Sequence, residues 1–156
     1  SVLSECSLLK KIDIHSSIII IEGNCSIDAL SPVSQIGESS FNRCISLQQM
    51  VIPHSVYKIV PCCFKCCSSL VLIQLSQFLP SIEAYTFEEC ISLIQKIITS
   101  SVLSIKSGAF RNFASLVNVE FEENSSLEKV YYSSFEKCSS LEQICKKLIR
   151  NNTLCE

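Results

Sequence analysis

The stretch IGESSFNRCISLQQMVIPHSVYKI (residues 36–59) contains a pattern of apolar residues that the chain repeats at a nearly fixed interval. Phenylalanines recur at a constant spacing as far as Phe110, and the last interval is slightly longer: Phe41, Phe64, Phe87, Phe110 and Phe135. Four further columns keep these intervals: Cys44, Cys67, Cys90, Phe113 and Cys138; Leu47, Leu70, Leu93, Leu116 and Leu141; Ile36, Ile59, Ile82, Ile105 and Val130; Val33, Val56, Leu79, Val102 and Leu127. A period of about 23 residues indicates stacked supersecondary units.

Two local patterns alternate within each unit. Alternating apolar and polar residues in LQQMVIP (47–53), LVLIQL (70–75) and LVNVEF (116–121) predict a short strand with one buried face. The segments VYKI (56–59) and VLSI (102–105) predict a second, shorter strand or turn on the opposite side. The residues around each phenylalanine predict a turn or a single helical turn. One unit cannot bury its own apolar residues, so we expect parallel strand pairing between units and each phenyl ring packed on the next.

The period changes near both ends. Leu3 stands where a phenylalanine is expected, but its distance from Phe41 exceeds one period and falls short of two, which predicts one ordinary unit and one shortened unit. The last interval is two positions longer than the others, and the extra positions lie in FEENSSLEKV (121–130). A loop between two apolar columns would absorb them without moving the core.

Lys96 interrupts one predicted strand at a position that is apolar in the other units. A lysine there must extend past the strand end to reach water, or the strand must slip. We favour the slip, with Ile97 or Ile98 taking the inner position.

Four of the eleven cysteines of the chain lie in the segment PCCFKCCSSL (61–70). Cys67 belongs to a repeated apolar column that also contains a phenylalanine, which cannot ligate a metal, so we expect Cys67 to be packed as a small apolar residue. Cys63 aligns with small residues and is expected to be buried. Cys62 and Cys66 align with variable, mostly polar residues and are expected at the surface. A tetrahedral zinc site fits this tight run poorly, whereas a Cys62–Cys66 disulfide or a reactive Cys66 stays open.

Other candidates for chemistry are sparse. A cysteine nucleophile needs a histidine beside it, and the only two, His15 and His54, align with loops. Glu88–Glu89 and Glu122–Glu123 are expected on a solvated face. Asn124 begins an N-x-S triplet in the extended loop and is expected to be accessible. No catalytic, cofactor-binding or metal-binding residue is predicted, and no enzymatic activity.

Composition excludes several further classes. The 156 residues carry 13 basic and 15 acidic side chains without a basic cluster, which argues against a nucleic-acid partner. The longest aliphatic run, residues 18–21, is far too short to span a bilayer. The N-terminus lacks the pattern of a signal peptide, and the chain begins with Ser, so a fragment of a longer protein is expected.

The repeated pattern resembles the BspA-like leucine-rich repeats, which read roughly I-x-x-x-A-F-x-x-C-x-x-L-x-x-I-x-I-P-x-x-V-x-x-I. The match is carried by residues 36–59 and by SIKSGAFRNFASLVNVEF (104–121). The resemblance implies a β-rich solenoid, a leucine-rich-repeat stack with a parallel β-sheet on one face and short strands or turns on the other. It also implies a surface-antigen or adhesin-like protein that binds other molecules without catalysis and without a cofactor.

A single leucine-rich-repeat domain over residues 1–156 is therefore expected. It would comprise degenerate units in 1–35, regular repeats in 36–144 and a tail or truncated repeat in 145–156. The resemblance implies a cell-surface or secreted protein, while the odd number of cysteines and the missing signal peptide leave a cytoplasmic location open.

The outward positions of the predicted sheet form the candidate binding face for a protein or glycan. Its residues are Gln49, Val51, Leu72, Gln74, Gln95, Ile97, Asn118, Glu120 and Gln143. The alternative is a purely architectural spacer within a larger protein, for which this face is merely solvated.

Overall fold

A computed structural model describes residues 11–13, 34–94, 97–116, 118–121, 124–141 and 143–144. Its strands are β1 (Lys11–Asp13), β2 (Gln35–Ile36), β3 (Gln49–Val51), β4 (Lys58–Ile59), β5 (Leu72–Gln74), β6 (Ser81–Ile82), β7 (Ile97–Ile98), β8 (Ser104–Ile105), β9 (Asn118–Phe121), β10 (Lys129–Val130) and β11 (Gln143–Ile144). The described residues contain no helix, and so none that could cross a membrane.

The strands pair in parallel along two rows. Odd-numbered strands form the sheets β1–β3–β5 and β7–β9–β11, and even-numbered strands form β2–β4 and β6–β8–β10. Paired residues in consecutive units are separated by one sequence period, as at Gln49↔Leu72 and Ser81↔Ser104. The chain is therefore a repeat solenoid, and the two predicted strand positions in each unit are confirmed. The observed strands are shorter than the sequence patterns.

The irregularity near the N-terminus differs from the expectation. Strand β1 pairs directly with β3, with Lys11 opposite Gln49, so no shortened unit places a strand between them. The chain from Lys11 in β1 to Gln35 in β2 is more than twice as long as the chain from Gln49 in β3 to Lys58 in β4. The additional residues of the long interval before Phe41 therefore lie between β1 and β2, where residues 14–33 are outside the described part of the chain.

The extension near the C-terminus lies where the sequence places it. Ser104 in β8 pairs with Lys129 in β10, two positions beyond the usual spacing, whereas Ile97 in β7 pairs with Glu120 in β9 at the usual spacing. The extra positions therefore fall between β9 and β10, outside the paired segments.

The core is the phenylalanine column, Phe41, Phe64, Phe87, Phe110 and Phe135, in which each ring stacks on the next. The centroid distances, in chain order, are 5.1, 5.7, 5.6 and 5.2 Å, with interplanar angles from 3° to 19°. The inward strand residues Met50, Ile73 and Val119 are buried beside it. The predicted packing of ring on ring is confirmed.

The expected slip around Lys96 does not occur in the described part of that strand. Ile97 keeps the ordinary register opposite Glu120. Ile98 is buried at its own repeat position, which Ile52 and Leu75 occupy in earlier units. Lys96 itself lies outside the described residues.

The turn around each phenylalanine is not helical. The residues two before and two after the phenyl ring have left-handed backbone conformations, with φ between 54° and 65°. These residues are Ser39, Arg43, Cys62, Cys66, Tyr85, Glu89, Gly108, Asn112, Ser133 and Lys137. Only one is glycine, so the conformational freedom of glycine does not explain the turn. Hydrogen bonds between units hold it, as when Phe64 N–H donates to Thr86 O over 3.0 Å.

Candidate partner-binding face

Strands β3 and β5 carry the best-defined part of the predicted face. Gln49 lies opposite Leu72 and Val51 opposite Gln74, and all four side chains are exposed. The residue between each pair, Met50 or Ile73, points into the core because successive strand residues face opposite ways. We call Gln49, Val51, Leu72 and Gln74 the outer face.

The remaining predicted residues are placed only by their backbones. Ile97 pairs with Glu120, and Asn118 pairs with Gln143, in the sheet β7–β9–β11. Gln95 lies outside the described residues. The register of these pairs agrees with the two predicted columns of outward residues. The side chains are described only for the outer face.

An apolar patch beside the outer face was not anticipated from the sequence. It consists of Val71 and Ile94, which are 39% and 62% exposed and extend the apolar surface of Leu72, itself 51% exposed. Ile94 N–H donates to Val71 O over 3.3 Å, which places these two residues side by side in neighbouring units. The available signal was the column Gln48–Val71–Ile94: a glutamine among apolar residues marks a position that is not core.

The opposite side of the stack also exposes large apolar residues. Tyr57 and Leu103 are exposed near the even-numbered strands, and Phe78 is 63% exposed. The Phe78 ring makes an edge contact with His54 at a centroid distance of 6.5 Å. His54 is a solvated loop residue, as expected, and His15 lies outside the described residues.

The cysteine column, Cys44, Cys67, Cys90, Phe113 and Cys138, faces the core. Its first four members are buried and Cys138 is half-buried. Cys67 Sγ donates to Phe41 O over 3.0 Å, and Cys90 Sγ donates to Phe64 O over 3.1 Å. Burial raises the pKa of Cys67 to about 12 and that of Cys90 well above its usual range. Protonated, buried thiols act here as packing groups, which confirms the predicted placement.

Cys62 and Cys66 are half-buried, not openly exposed as expected. Cys66 Sγ donates to Glu89 Oε2 over 3.4 Å, because the two side chains occupy the same column in adjacent units. Burial, and then this hydrogen bond, raises the pKa of the Cys66 thiol, and burial raises that of Cys62. A raised pKa disfavours the nucleophilic thiolate. The seven described cysteines are free thiols, and no cluster of metal-ligating side chains occurs among the described residues.

One column along the turns becomes charged after its first member, Asn42. We call its other members, Lys65, Glu88, Arg111 and Glu136, the charged column. Glu88 is only 5% exposed, so its expected place on a solvated face is wrong. Its Oε2 lies 2.7 Å from Lys65 Nζ and its Oε1 3.8 Å from Arg111 Nη1. Arg111 Nε in turn lies 3.2 Å from Glu136 Oε2. Opposite charges in successive units thus make burial of the Glu88 carboxylate tolerable.

The remaining acidic and asparagine candidates divide between described and undescribed positions. Glu89 is exposed, as expected, and accepts a hydrogen bond from Asn112 Nδ2 over 3.3 Å. Asn124 is exposed, which agrees with the predicted accessibility of the extended loop. Glu122 and Glu123 lie outside the described residues.

A family model described as the BspA type leucine rich repeat region matches residues 24–142 in 6 copies. No curated protein matches the chain. The repeat intervals and inward columns above agree with the family match.

Three solved structures are similar to the chain. One, a leucine-rich cell surface protein of Faecalibacterium prausnitzii, has a TM-score of 0.67 and 28% identity, over 73% of this chain and 30% of that protein. A leucine-rich repeat protein of T. pallidum has a TM-score of 0.59 and 24% identity, over 90% of this chain and 71% of that protein. A leucine-rich repeat protein of Bacteroides ovatus has a TM-score of 0.57 and 18% identity, over 86% of this chain and 46% of that protein. The T. pallidum and B. ovatus structures show the fold alone. The chain spans less than half of the length of the F. prausnitzii and B. ovatus proteins.

Proposed function

Because the chain belongs to the family of BspA-type leucine-rich repeats, we propose that it is a non-catalytic interaction module. It is a single domain built of repeat units of about 23 residues. It binds a protein or glycan partner through the outer face and the apolar patch beside it, and its binding columns continue through Gln95, Ile97, Asn118, Glu120 and Gln143.

The observation that carries this proposal is the composition of the exposed sheet surface. Leu72, which lies opposite Gln49 and on the same strand as Gln74, exposes more than half of its surface. Ile94, which lies beside Val71, does the same. Exposed apolar side chains grouped together and rimmed by polar ones are typical of interaction sites. Amide side chains supply both donors and acceptors, which suits protein backbones and sugar hydroxyls alike.

The thiols support a binding role over a catalytic one. Burial or hydrogen bonding raises the pKa of each thiol in the crowded segment, Cys62, Cys63, Cys66 and Cys67. A protonated thiol is a poor nucleophile and a poor metal ligand.

The same comparison supports a proposal for the location of the protein. The similar F. prausnitzii protein is a cell surface protein, and we assign this chain to the cell surface as part of a longer polypeptide. There the outer face would meet molecules outside the cell, in the manner of an adhesin.

The test compares two double variants that add the same charge. Leu72→Arg with Ile94→Arg alters the proposed face, and Tyr57→Arg with Leu103→Arg alters the opposite side. Each purified chain is applied to arrays of immobilised glycans and of purified extracellular proteins, after circular dichroism has confirmed unchanged folding. The expected result is binding by the wild type and the opposite-side variant, and at least about a tenfold loss in the face variant.

Two outcomes would count against the proposal. Equal binding by both double variants would show that the partner does not bind at the outer face. Absence of binding by the wild type to any array would favour the architectural spacer instead.

A further inference from the structure

The loop between β9 and β10 is longer than the equivalent loops of the three units before it. In those units three residues separate two apolar columns, at 53–55, 76–78 and 99–101. Here five residues, 122–126, separate the same columns at Phe121 and Leu127. We call residues 122–126 the enlarged loop. Because β7 pairs with β9 and β8 with β10, the extra length stays outside the sheets.

The middle of the enlarged loop is less constrained than the shorter loops. In an ordinary unit a backbone bond closes the loop, as where Val102 N–H donates to Thr99 O over 3.2 Å. In the enlarged loop Leu127 N–H donates instead to the Ser125 hydroxyl oxygen, over 3.4 Å. Asn124, one residue earlier, is exposed and makes no hydrogen bond with any other described residue. Its side-chain amide is therefore available to a modifying enzyme.

Asn124 differs from the other asparagines in the described part of the chain. Asn42 and Asn112 are half-buried in the turns, and Asn118 lies within the paired strand β9. Of these four asparagines, Asn124 alone is followed two positions later by a hydroxyl residue, Ser126, which is also exposed. The acceptor amide and the hydroxyl thus occur together only where the chain forms its enlarged loop.

The triplet Asn124–Ser125–Ser126 is the acceptor pattern for asparagine-linked sugars, since its middle residue is not proline. An N-linked glycan is bulky and strongly hydrated, so it is tolerated at a surface position and excluded from a packed one. The enlarged loop meets this requirement, because both ends of the triplet are exposed.

We propose that Asn124 is a site of N-linked glycosylation, with an oligosaccharide carried on a lipid pyrophosphate as the donor. The side-chain nitrogen of Asn124 forms a bond to the anomeric carbon of the first sugar, while the bond from that carbon to the pyrophosphate oxygen breaks. The lipid pyrophosphate leaves, and the amide loses one proton to a base of the transferring enzyme. This inference rests on the proposed location of the chain outside the cell.

Secretion of the full chain provides the first test. The chain is fused to a secretory leader and expressed in cultured animal cells. The tryptic peptide 112–129, in which this triplet is the only acceptor pattern, is weighed before and after a peptide N-glycosidase acts in heavy-oxygen water. A glycan should be released from most molecules, leaving heavy oxygen at position 124. Ser126→Ala should abolish the modification, whereas the matched control Ser125→Ala should keep it.

A second measurement tests whether the enlarged loop selects the site. Ala114→Ser introduces the same pattern at Asn112, and Ala114 is exposed, so the fold should be kept. Asn112 is held in the stack, where its N–H donates to Glu136 O over 2.9 Å. The folded, unmodified variant is incubated with a purified oligosaccharyltransferase and a lipid-linked oligosaccharide. Asn124 should be modified at least about tenfold faster than Asn112, because Asn112 becomes accessible only through local unfolding.

Either contrary result overturns the inference. A folded, secreted chain with unmodified Asn124 would show that the enlarged loop is not an acceptor. The leader fixes the compartment, so that result would leave the proposed binding at the outer face to its own test. Equal rates at Asn112 and Asn124 in the folded variant would show that the enlarged loop does not define the site.

Discussion

At the scale of single residues, the cysteine column shows why sulfur suits this turn. Cys67, Cys90 and Cys138 each donate to the backbone carbonyl of a phenylalanine in the preceding unit, as in Cys138 Sγ to Phe110 O over 3.1 Å. Cys67 and Cys90 also fill small buried spaces. Phe113 keeps the packing but has no donor, and its ring instead meets Phe110 edge-on at 6.0 Å. The column therefore requires volume first, with the hydrogen bond as an addition.

Phe87 lies in the middle of the phenylalanine column, so Phe87→Ala should be among the most damaging single substitutions. Removing a fully buried ring that stacks on two others leaves a cavity, and we expect the free energy of unfolding to fall by about 3–5 kcal/mol. Phe78→Ala is the matched control, since its exposed ring should change that value by less than about 0.5 kcal/mol. Urea denaturation measures both. A loss below about 1 kcal/mol for Phe87→Ala would refute its burial.

The buried thiols predict loss of stability at alkaline pH. The pKa of Cys67 is raised to about 12 in the folded chain, against about 8.5 for a free thiol. Between these values the unfolded chain releases a proton that the folded chain retains, so stability is full below the lower value and falls as pH rises.

The Cys67→Ser variant isolates this contribution, because serine keeps a hydrogen-bond donor but does not titrate in this range. Between about pH 9 and 11, the decline in unfolding free energy should be shallower in the variant by about 1.4 kcal/mol per pH unit. Urea denaturation across this range provides the comparison. Equal slopes for wild type and variant would show that Cys67 ionises as readily in the folded chain as in the unfolded one.

At the scale of elements, the strands could be predicted and the turns could not. Strand positions follow from apolar residues that recur with the repeat, since every unit must bury the same side of β3, β5 and β9. The turns adopt left-handed conformations at residues as different as Tyr85 and Glu89, whereas sequence reasoning expects glycine or asparagine there. Contacts between units, which no single unit encodes, hold these conformations.

The residues of the candidate site could likewise be predicted only in part. Alternation along β3 and β5 was enough to predict that Gln49, Val51, Leu72 and Gln74 face outward. Burial of Glu88 could not be predicted, because its column changes residue in every unit and only the stacked neighbours Lys65 and Arg111 make the position tolerable.

Gly108 provides a test of the turn. Its φ is +65°, and a Cβ added there would overlap the Tyr85 ring of the preceding unit. Gly108→Ala should therefore lower the unfolding free energy by about 1–2 kcal/mol for the left-handed backbone alone, and by more because the ring must move.

A double-mutant cycle separates the two causes of that loss. In a Tyr85→Ser background only the backbone contribution remains, so the loss caused by Gly108→Ala should be smaller, as measured by thermal unfolding. Equal losses in the two backgrounds would mean that Tyr85 does not pack on Gly108.

At the scale of the whole molecule, the stack is held by nearest neighbours. Successive units contact each other through stacked phenyl rings, and most of these junctions also have a thiol–carbonyl hydrogen bond or paired strands. The charged column adds ion pairs along one side. Stability in such an arrangement is approximately a sum over units and their interfaces. The outside then stays free to vary, so the residues of the outer face differ from unit to unit while the core columns keep their apolar character.

One continuous column of phenyl rings runs through the stack, and nuclear Overhauser effects between neighbouring rings would detect it in solution. With phenylalanine isotopically labelled in an otherwise unlabelled chain, the ring protons of Phe41 and Phe64, Phe64 and Phe87, Phe87 and Phe110, and Phe110 and Phe135 should give cross-peaks, since their centroids lie 5.1 to 5.7 Å apart. Loss of each set in the matching Phe→Leu variant would assign it. A folded chain without cross-peaks between Phe64 and Phe87 would contradict the account.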